Sequence, residues 1–346
     1  MSKQFEFTID GQNVVAEEGM SVLEAALAND IYIPHLCYHP DLESVGACRL
    51  CGVEVDGGRM VMSCMTPARE GIDVKTDSPT IYQARKVAME LLIMDHDMDC
   101  LACEAADDCE LLRVASYLGI QPEQLDDLRP LGRQLPIDDS NPFFKFDPNK
   151  CILCGICVRT CKEIVGLGAL GFINRGIDTV IGTFGDKGFV DSICESCGEC
   201  ISRCPVGALV PKKPQLAARE VLTTCAYCGV GCGIYFGVKG DKIVSARADR
   251  ENPANEGSLC VKGRYGFNFV NHPDRLTTPL IKKDGEFVEA SWDEALDLVA
   301  SKFKERKGEK FAALTSAKCT NEDNYLVQKF TRAVMGTNTI DHCARL

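Results

Sequence analysis

The first thirty residues change from the spacing typical of β-strands to the spacing typical of a helix. The runs FEFTI and VVAEE are separated by the turn pair Asp10-Gly11, which predicts a β-hairpin. Ser21 and Glu24 have the spacing of a capping box in front of VLEAALAND, and this predicts the start of a helix. The chain is therefore expected to begin with a small unit of strands and one helix.

A second helix pattern covers residues 78–95. Ser78 is suited to cap this helix, and Pro79 to occupy its first turn because no N–H is needed there. Apolar residues recur behind them at helical spacing and predict one buried face. The face comprises Ile81, Ala84, Val87, Ala88, Leu91 and Leu92.

Residues 119–149 interrupt the pattern with five prolines and several acidic residues. Proline and charge at this density disfavour packed secondary structure, so we expect a linker or an irregular segment. We place this linker at residues 119–140.

The last third of the chain alternates strand and helix patterns. GIYFGVKGDKIVSARAD predicts a hairpin, and Ser291 with Glu294 forms a second capping box before a helix that we expect to reach Lys307. FAALTS predicts a buried strand, and Asn321 is expected to cap a helix that Gly336 closes. This order is the start of a doubly wound α/β domain, although a single strand cannot complete a parallel sheet.

Charge and composition limit the possible functions. The 346 residues include 38 basic and 50 acidic side chains, a net charge of −12 that disfavours nucleic acid as a partner. The amino terminus lacks an apolar signal segment and a twin-arginine pair, and no run of 18 apolar residues predicts a membrane-spanning helix. We therefore expect a reducing compartment, the cytoplasm.

Cysteine accounts for 21 residues, and nineteen of them fall into spaced sets. An odd number of cysteines in a reducing compartment argues against a disulfide framework and favours metal or cluster ligation. The two cysteines outside the sets are Cys319 and Cys343, which we expect to be small buried hydrophobic residues.

The first set has the spacing C-x10-C-x2-C-x12-C, which departs from the plant-type ferredoxin pattern. Its members are Cys37, Cys48, Cys51 and Cys64. Together with the hairpin and helix before it, this spacing resembles the β-grasp two-iron (2Fe–2S) domain of the NADH dehydrogenase large peripheral subunit and of iron-only hydrogenases. The resemblance covers residues 1–78. A zinc site with four thiolates is the alternative, and His35 and His39 are expected to be structural.

The second set combines one histidine with three cysteines in the spacing H-x3-C-x2-C-x5-C. Its members are His96, Cys100, Cys103 and Cys109, within a predicted small domain at residues 79–118. It resembles a four-iron (4Fe–4S) site of the same two families, which implies that His96 is a ligand. A neutral imidazole in place of a thiolate raises the potential of a cluster. A zinc site with one imidazole and three thiolates remains the alternative.

A repeat supplies the third and fourth sets. The spacing C-x2-C-x2-C-x3-C occurs twice with an offset of 43 residues, within residues 141–214. It resembles the bacterial two-cluster ferredoxin, in which the fourth cysteine of each run ligates the other cluster. This implies two 4Fe–4S sites, one formed by Cys151, Cys154, Cys157 and Cys204 and the other by Cys194, Cys197, Cys200 and Cys161. Pro205 follows the second run as expected, whereas Lys162 replaces proline after the first; zinc is the disfavoured alternative.

The fifth set has the spacing C-x2-C-x3-C-x27-C and is followed by VKGRYG. Its members are Cys225, Cys228, Cys232 and Cys260. Residues 218–274 resemble the 4Fe–4S amino-terminal domain of molybdopterin-dependent oxidoreductases, and residues 275–346 resemble the beginning of their molybdopterin domain. In that family a lysine two residues after the fourth cysteine lies between cluster and pterin, which implies this role for Lys262; a plain surface charge is the alternative.

The whole chain resembles the alpha subunit of cytoplasmic multi-cluster formate dehydrogenases, an α+β multi-domain iron–sulfur protein. The resemblance implies one 2Fe–2S and four 4Fe–4S clusters, with a molybdenum or tungsten bis-pterin centre that interconverts formate and carbon dioxide. Electrons would pass from the pterin through the fifth set and the paired sets to the amino-terminal clusters. Partner subunits with flavin and iron–sulfur clusters, similar to those of NADH dehydrogenase or hydrogenase, would then transfer them to NAD(P) or ferredoxin.

No catalytic residue of that family lies within these 346 positions. TNTIDHCARL resembles the segment just before the metal-ligating selenocysteine or cysteine, so we expect the reading frame to continue through a UGA codon after Leu346. The alternatives are a stand-alone iron–sulfur electron-transfer subunit and a homologue of the NADH dehydrogenase large peripheral subunit.

Overall fold

The computed structural model describes residues 3–94, 96–120, 134–212, 216–317 and 319–342. These residues form two units, Met1–Lys213 and Pro214–Leu346. Most of the predicted linker, residues 121–133, lies outside the described residues.

The first unit begins with a five-stranded sheet in the strand order β2-β1-β5-β3-β4. The elements are β1 (Gln4–Ile9), β2 (Gln12–Glu17), α1 (Val22–Ala28), β3 (Gly52–Val55), β4 (Arg59–Met62) and β5 (Asp73–Lys75). The predicted hairpin is confirmed, because β1 and β2 pair antiparallel around Asp10 and Gly11, both with positive φ as this tight turn requires. The capping box of Ser21 and Glu24 is also confirmed. Strand β5 lies between β1, to which it is parallel, and β3, to which it is antiparallel.

Helix α2 (Pro79–Ile93) follows, and the Ser78 side chain accepts a hydrogen bond from the N–H of Ile81, as expected of a cap. The predicted buried face is partly wrong. The buried residues are Ile81, Arg85, Met89 and Ile93, whereas Val87 and Leu91 are exposed. The face turns toward Arg85 because its guanidinium donates hydrogen bonds to two backbone carbonyls of the neighbouring loop. Helix α3 (Glu110–Tyr117) completes this segment.

The internal repeat folds as two similar halves. Its elements are β6 (Phe144–Phe146), α4 (Ile156–Arg159), β7 (Leu170–Ile173), β8 (Val180–Thr183), α5 (Glu199–Ser202) and β9 (Leu209–Pro211). Strand β6 pairs with β9, and β7 pairs with β8. Gly155 and Gly198 occupy equivalent positions and both adopt left-handed backbone conformations, with φ of 71° and 80°. This conformation suits glycine and starts the short helix of each half.

The three segments of the first unit share one apolar core. It extends from Leu36 and Leu50 through α2 and α3 to the aromatic residues of the repeat. Phe189 is buried there and packs edge-to-face against Phe144, with ring centroids 5.0 Å apart. The sheet has a second core around Ile9. The predicted small domains are therefore packed together within this unit.

The described residues of the second unit form three separate sheets. Its elements are β10 (Arg219–Thr224), β11 (Gly233–Lys239), β12 (Lys242–Ala248), α6 (Val261–Tyr265), β13 (Leu280–Lys283), β14 (Glu286–Glu289), α7 (Trp292–Lys304), β15 (Ala313–Thr315), α8 (Asn321–Ala333) and β16 (Ile340–His342). The predicted hairpin is confirmed as β11 and β12, and β10 adds a third strand that the sequence patterns did not indicate. Strands β15 and β16 pair in parallel.

Several predicted details of this unit are wrong. Helix α7 keeps its capping box but ends at Lys304, three residues before the expected Lys307. Thr320 caps α8 instead of Asn321, because the Thr320 hydroxyl accepts the hydrogen bond from the N–H of Asp323. Leu314 in β15 was expected to be buried, but its exposed fraction is 83%. Among the described residues, β16 is the strand that pairs with β15, and it leaves the face of Leu314 uncovered.

Within the described part of the chain, no helix combines the length and the apolar character that crossing a membrane would require.

Candidate cluster-binding sites

The four cysteines of the first set are all buried in the first unit. Cys37 and Cys48 belong to the larger core, and Cys51 and Cys64 to the core of the sheet, so the set lies where the two cores meet. The Cys48 N–H lies 3.4 Å from the Cys37 sulfur. A hydrogen bond between these side chains lowers the pKa of Cys37 to about 6 and raises that of Cys48. Cys51 and Cys64 form a second such pair, in which the pKa of Cys51 falls to about 6.

The nearby histidines have the structural roles expected for them. His35 Nδ1 lies 2.8 Å from the carbonyl oxygen of Ile33. His39 Nδ1 accepts a hydrogen bond from the N–H of Asp41. Both imidazoles therefore have local partners in the loop that holds Cys37.

The second set lines a single cavity. Its wall includes His96, Cys100, Cys103 and Cys109. His96 Nδ1 is buried without a hydrogen-bond partner. Burial lowers the pKa of His96, which keeps the imidazole neutral and able to act as a ligand. An unpartnered ring nitrogen beside three thiols fits a cluster with one imidazole ligand, and the zinc alternative would use the same atoms.

The wall of this cavity also depends on a glycine from the repeat. A Cβ atom built on Gly207 would lie 2.6 Å from the Cys103 sulfur, closer than any ordinary contact. The absence of a side chain at Gly207 therefore leaves room for the side chain of Cys103. Sequence patterns did not identify this residue, since its role depends on a contact between distant segments.

The two cysteine runs come together in the structure. One cavity is lined by Cys151, Cys154, Cys157 and Cys204, so the fourth cysteine comes from the second run. Burial raises the pKa of both Cys157 and Cys204. Cysteines in such a site are stable as thiols until a bound metal centre draws off the proton.

The fourth set joins Cys161 to the three cysteines of the second run. Burial raises the pKa of Cys194, and repulsion from Cys197 and Cys161 adds to this shift. The N–H of Ala169 donates to the Cys161 sulfur over 3.2 Å. Matching N–H donors serve the first cysteine of each run: Leu153 for Cys151 and Ser196 for Cys194, each at 3.4 Å. Hydrogen bonds to sulfur are one of the factors that set cluster potentials.

The third set has the other three sets of the first unit as neighbours. Burial is the main cause of the raised pKa of Cys154, and repulsion from Cys37 adds to the shift. The raised pKa of Cys204 includes repulsion from Cys109, and that of Cys157 includes repulsion from Cys200. The geometry agrees, because Cys48 lines one cavity with Cys151 and Cys154, and the N–H of Glu110, next to Cys109, donates to the carbonyl of Pro205, next to Cys204. Cysteines of all four sets lie in or against one apolar core, so the third set has the first, second and fourth sets as neighbours.

The fifth set lies in the second unit. Burial raises the pKa of Cys232, and repulsion from Cys225, Cys228 and Cys260 adds to the shift, so the structure brings the four together. Cys228 and Cys260 are exposed. Lys262 is exposed in the first turn of α6, two residues after Cys260.

The two cysteines outside the five sets were expected to be buried. Cys319 is exposed, so its predicted burial is wrong; it lies in the loop that precedes α8. Cys343 lies outside the described residues.

Among the side chains that the structure describes, no three of the His, Cys, Asp or Glu type are close enough to hold one metal ion.

Two buried arginines beside the first set were also missed by sequence reasoning. Arg85 donates hydrogen bonds to the carbonyls of Leu50 and Gly52, which flank Cys51. Arg159 donates to the carbonyls of Cys37 and Glu43. Arg85 interrupts the apolar face of α2 in the sequence, and this interruption was the signal that could have indicated its contact with the carbonyls of Leu50 and Gly52.

Five models of known families match successive segments of the chain. Residues 2–79 match a 2Fe-2S iron-sulfur cluster binding domain, and residues 85–123 match the NADH-ubiquinone oxidoreductase-G iron-sulfur binding region. Residues 141–210 match the ferredoxin-like domain of NADH-quinone oxidoreductase subunit 3. Residues 218–272 match the molybdopterin oxidoreductase Fe4S4 domain, and residues 275–346 match molybdopterin oxidoreductase.

Individual relatives have several names. The chain is 35% identical to the NADPH-Fe(3+) oxidoreductase subunit alpha of Geobacter sulfurreducens (strain PCA) and to the G 2 subunit of the NADH-quinone oxidoreductase of Rhizobium meliloti, in each case over 98% of this chain and 40% of the relative. It is 31% identical to a Staphylococcus aureus (strain USA300) protein whose assignment as a formate dehydrogenase is itself unproven, over 100% of this chain and 39% of the relative. The chain thus spans about 40% of the length of these relatives.

One solved structure is also similar to this chain. A chain of the crystal structure of the NAD+-reducing NiFe-hydrogenase in its H2-reduced state is 36% identical, with a TM-score of 0.53. The match covers 62% of this chain and 90% of the hydrogenase chain. The carboxyl-terminal residues 218–346 therefore match molybdopterin oxidoreductase domains, and the residues before them match iron–sulfur domains of the NADH-quinone oxidoreductase type.

Proposed function

We propose that this chain is the electron-conducting part of an oxidoreductase that interconverts formate and carbon dioxide. The observation that carries the proposal is the central position of the third cysteine set, with three other sets beside it in one packed unit. Neighbouring clusters at these positions would exchange single electrons. The chain's own contribution is to hold the ligands of adjacent sites in a fixed, buried arrangement.

The proposed ligand assignment follows the five cysteine sets. Cys37, Cys48, Cys51 and Cys64 would hold a 2Fe–2S cluster, and each of the other four sets would hold a 4Fe–4S cluster. His96 is the proposed exception to thiolate ligation, supported by its unpartnered Nδ1 in the cavity wall. The exchange of Cys161 and Cys204 between the paired runs is supported by the cavity that Cys204 shares with the first run.

Formate as the substrate rests on the carboxyl-terminal unit. Its fifth set is followed by the VKGRYG segment that resembles formate dehydrogenases, and some relatives carry that name. We propose that Lys262, exposed beside Cys260, would face the molybdopterin cofactor. A bound molybdenum or tungsten bis-pterin would supply the two-electron chemistry of formate.

NADH-dehydrogenase-like or hydrogenase-like subunits with flavin are the proposed partners, with NAD(P) or ferredoxin as the acceptor. Their support is the likeness to the NAD+-reducing hydrogenase chain and to the Rhizobium meliloti NADH-quinone oxidoreductase relative. The proposed compartment is the cytoplasm, because twenty-one cysteines would be kept reduced there.

A second candidate is an electron-transfer subunit linked to NAD(P)H that does not act on formate. The observation in its favour is identity: the NADPH-Fe(3+) and NADH-quinone oxidoreductase relatives are 35% identical, whereas the formate dehydrogenase relative is 31% identical. In both candidate functions the chain conducts electrons; the two differ in whether formate or NAD(P)H is the electron donor.

The native protein, purified anaerobically with its partner subunits, distinguishes the candidates. We expect molybdenum or tungsten, about 18 iron atoms per chain from one two-iron and four four-iron clusters, and reduction of those clusters by formate in electron paramagnetic resonance (EPR) spectra. Reduction by NAD(P)H but not by formate would favour the second candidate. A chain with iron in single-ion amounts or with zinc would contradict both.

A further inference from the structure

Arg159 connects two parts of the first unit that are far apart in sequence. It ends helix α4, two residues after Cys157, and its exposed fraction is 9%. Its Nη2 donates to the carbonyl oxygen of Cys37 over 2.5 Å, and Nη1 donates to the carbonyl oxygen of Glu43 over 2.6 Å. These hydrogen bonds therefore connect helix α4, which carries Cys157 of the third set, to the loop that carries Cys37 of the first set.

Among the described residues, the positive charge of Arg159 is not neutralised by a carboxylate; the negative group that interacts with it is the thiolate form of Cys37. Both acceptors are neutral backbone carbonyls, and among the described residues no carboxylate forms an ion pair with this guanidinium. Its Nε is buried without a hydrogen-bond partner. Glu163 is not a partner of Arg159; it accepts a hydrogen bond from the N–H of Glu43. A buried charge without a carboxylate partner is costly unless another negative group lies close to it, and the thiolates of the first set are such groups.

A second buried arginine of the same module shows the contrast. Arg203 forms ion pairs with Asp41, at 3.0 Å, and with Glu199. Two carboxylates thus neutralise its charge locally, as burial normally demands. The charge of Arg203 is therefore neutralised by carboxylates. The charge of Arg159, which lies next to Cys37 of the first set, is not.

We infer that Arg159 is a positioning residue that raises the reduction potential of the two-iron cluster held by the first set. Reduction of a cluster adds one electron and therefore one negative charge. A fixed positive charge in a buried site of low dielectric favours the reduced form. The same two hydrogen bonds hold the Cys37 loop against helix α4, which carries Cys157. This inference rests on the proposed function only in requiring a two-iron cluster at this site; the electron donor need not be formate.

Arg85 supports the inference from the other side of the site. It is also buried, and it donates to the carbonyls of Leu50 and Gly52 over 3.0 and 2.9 Å. Its position beside Cys51 places a second guanidinium at the same set. Arg85→Met is therefore expected to shift the potential in the same direction as a change at Arg159.

The test is an EPR-monitored redox titration of the full chain with its clusters in place. Arg159→Met removes the charge and the donors while keeping a long side chain, and Arg159→Lys keeps the charge. Arg49→Gln is the matched control, because Arg49 follows Cys48 in the same loop but is exposed. Iron content and thermal unfolding are measured for each variant, so that a merely structural role can be recognised.

For Arg159→Met we expect the reduction equilibrium of the two-iron cluster to fall at least tenfold, or about 59 mV for a one-electron couple. Arg159→Lys and Arg49→Gln should shift it clearly less. Should Arg159→Met lose the cluster, Arg159→Lys decides: a retained cluster near the wild-type potential supports the inference, and a fall as large as tenfold overturns it.

Two further outcomes would overturn the inference. The first is an unchanged potential in Arg159→Met with full iron content, which would leave Arg159 a structural role alone. The second is an equal shift in Arg49→Gln, which would remove burial as the cause. Absence of a two-iron signal in the unmodified chain would instead contradict the proposed function.

Discussion

Replacing Gly207 by alanine should empty the cluster site formed by His96 and three cysteines while leaving the fold intact. Gly207 follows the second cysteine run, and its backbone does not lie in the left-handed region. The effect of an alanine there therefore depends only on steric contacts of the added Cβ and not on backbone strain. The added Cβ would stand 2.6 Å from the Cys103 sulfur, whereas Ala105 and Lys150 are at ordinary contact distances of 3.5 and 3.6 Å. The substitution therefore acts on one ligand.

The size of the expected loss of cluster affinity depends on how far the Cys103 sulfur can move away from the added Cβ. Nonbonded atoms prefer separations of about 3.5–4.0 Å, so the Cys103 sulfur would have to move by roughly 1 Å. Without a cluster the thiol can rotate away at little cost. With a cluster the sulfur is fixed as a ligand, and overpacking of this kind costs about 1–3 kcal/mol, or roughly a 5- to 150-fold loss of cluster affinity. We expect iron content to fall by up to about four atoms of roughly 18.

Gly171→Ala is the matched control, because Gly171 lies in β7 and its added Cβ would have no neighbour within 4 Å. Iron per chain, the EPR signal of the second site and the denaturant midpoint are measured on protein purified anaerobically. The control should keep all three values. The explanation fails if Gly207→Ala also retains full iron and an unchanged signal, or if it unfolds the chain without selective loss of one cluster.

Three further predictions follow from single contacts. His96→Cys should lower the potential of the second cluster, because a charged thiolate replaces a neutral imidazole; an unchanged potential in a redox titration would contradict ligation by His96. Phe189→Ala removes a ring that is 3% exposed and should cost about 3–5 kcal/mol in chemical denaturation. Phe184→Ala, at a residue that is 93% exposed, should cost much less, and equal losses would refute the packing argument. Ser291→Ala should cost about 1 kcal/mol and speed hydrogen exchange in the first turn of α7, which Ser291 caps; unchanged exchange there would exclude the cap.

Local elements were predictable because their determinants lie within a few residues. The turn at Asp10 and Gly11 and the capping boxes of Ser21 and Ser291 each depend on neighbours at fixed offsets, and the structure has all three. The cap of α8 was misplaced by one residue because Thr320 and Asn321 are both suitable N-cap residues. Sequence spacing alone does not choose between adjacent candidates.

Burial was predicted less well, because it depends on what covers each face. Val87 and Leu91 have helical spacing with their buried neighbours, yet the packing face of α2 turns toward Arg85. Leu314 is apolar but exposed on its strand, and Cys319 is exposed in a loop. An apolar side chain shows that burial would be favourable and does not show that a partner is present.

The sequence by itself determined the short cysteine spacings, since a fixed spacing such as C-x2-C places neighbouring sulfurs through the local backbone alone. Only the tertiary structure decided which sets are neighbours, with Cys154 near Cys37 and Cys204 near Cys109. It also brought Arg159 to the carbonyl of Cys37 across 122 residues of chain. Such contacts depend on how whole elements share a core, because the free energy of packing is a property of the assembled surfaces and is not encoded in any one segment.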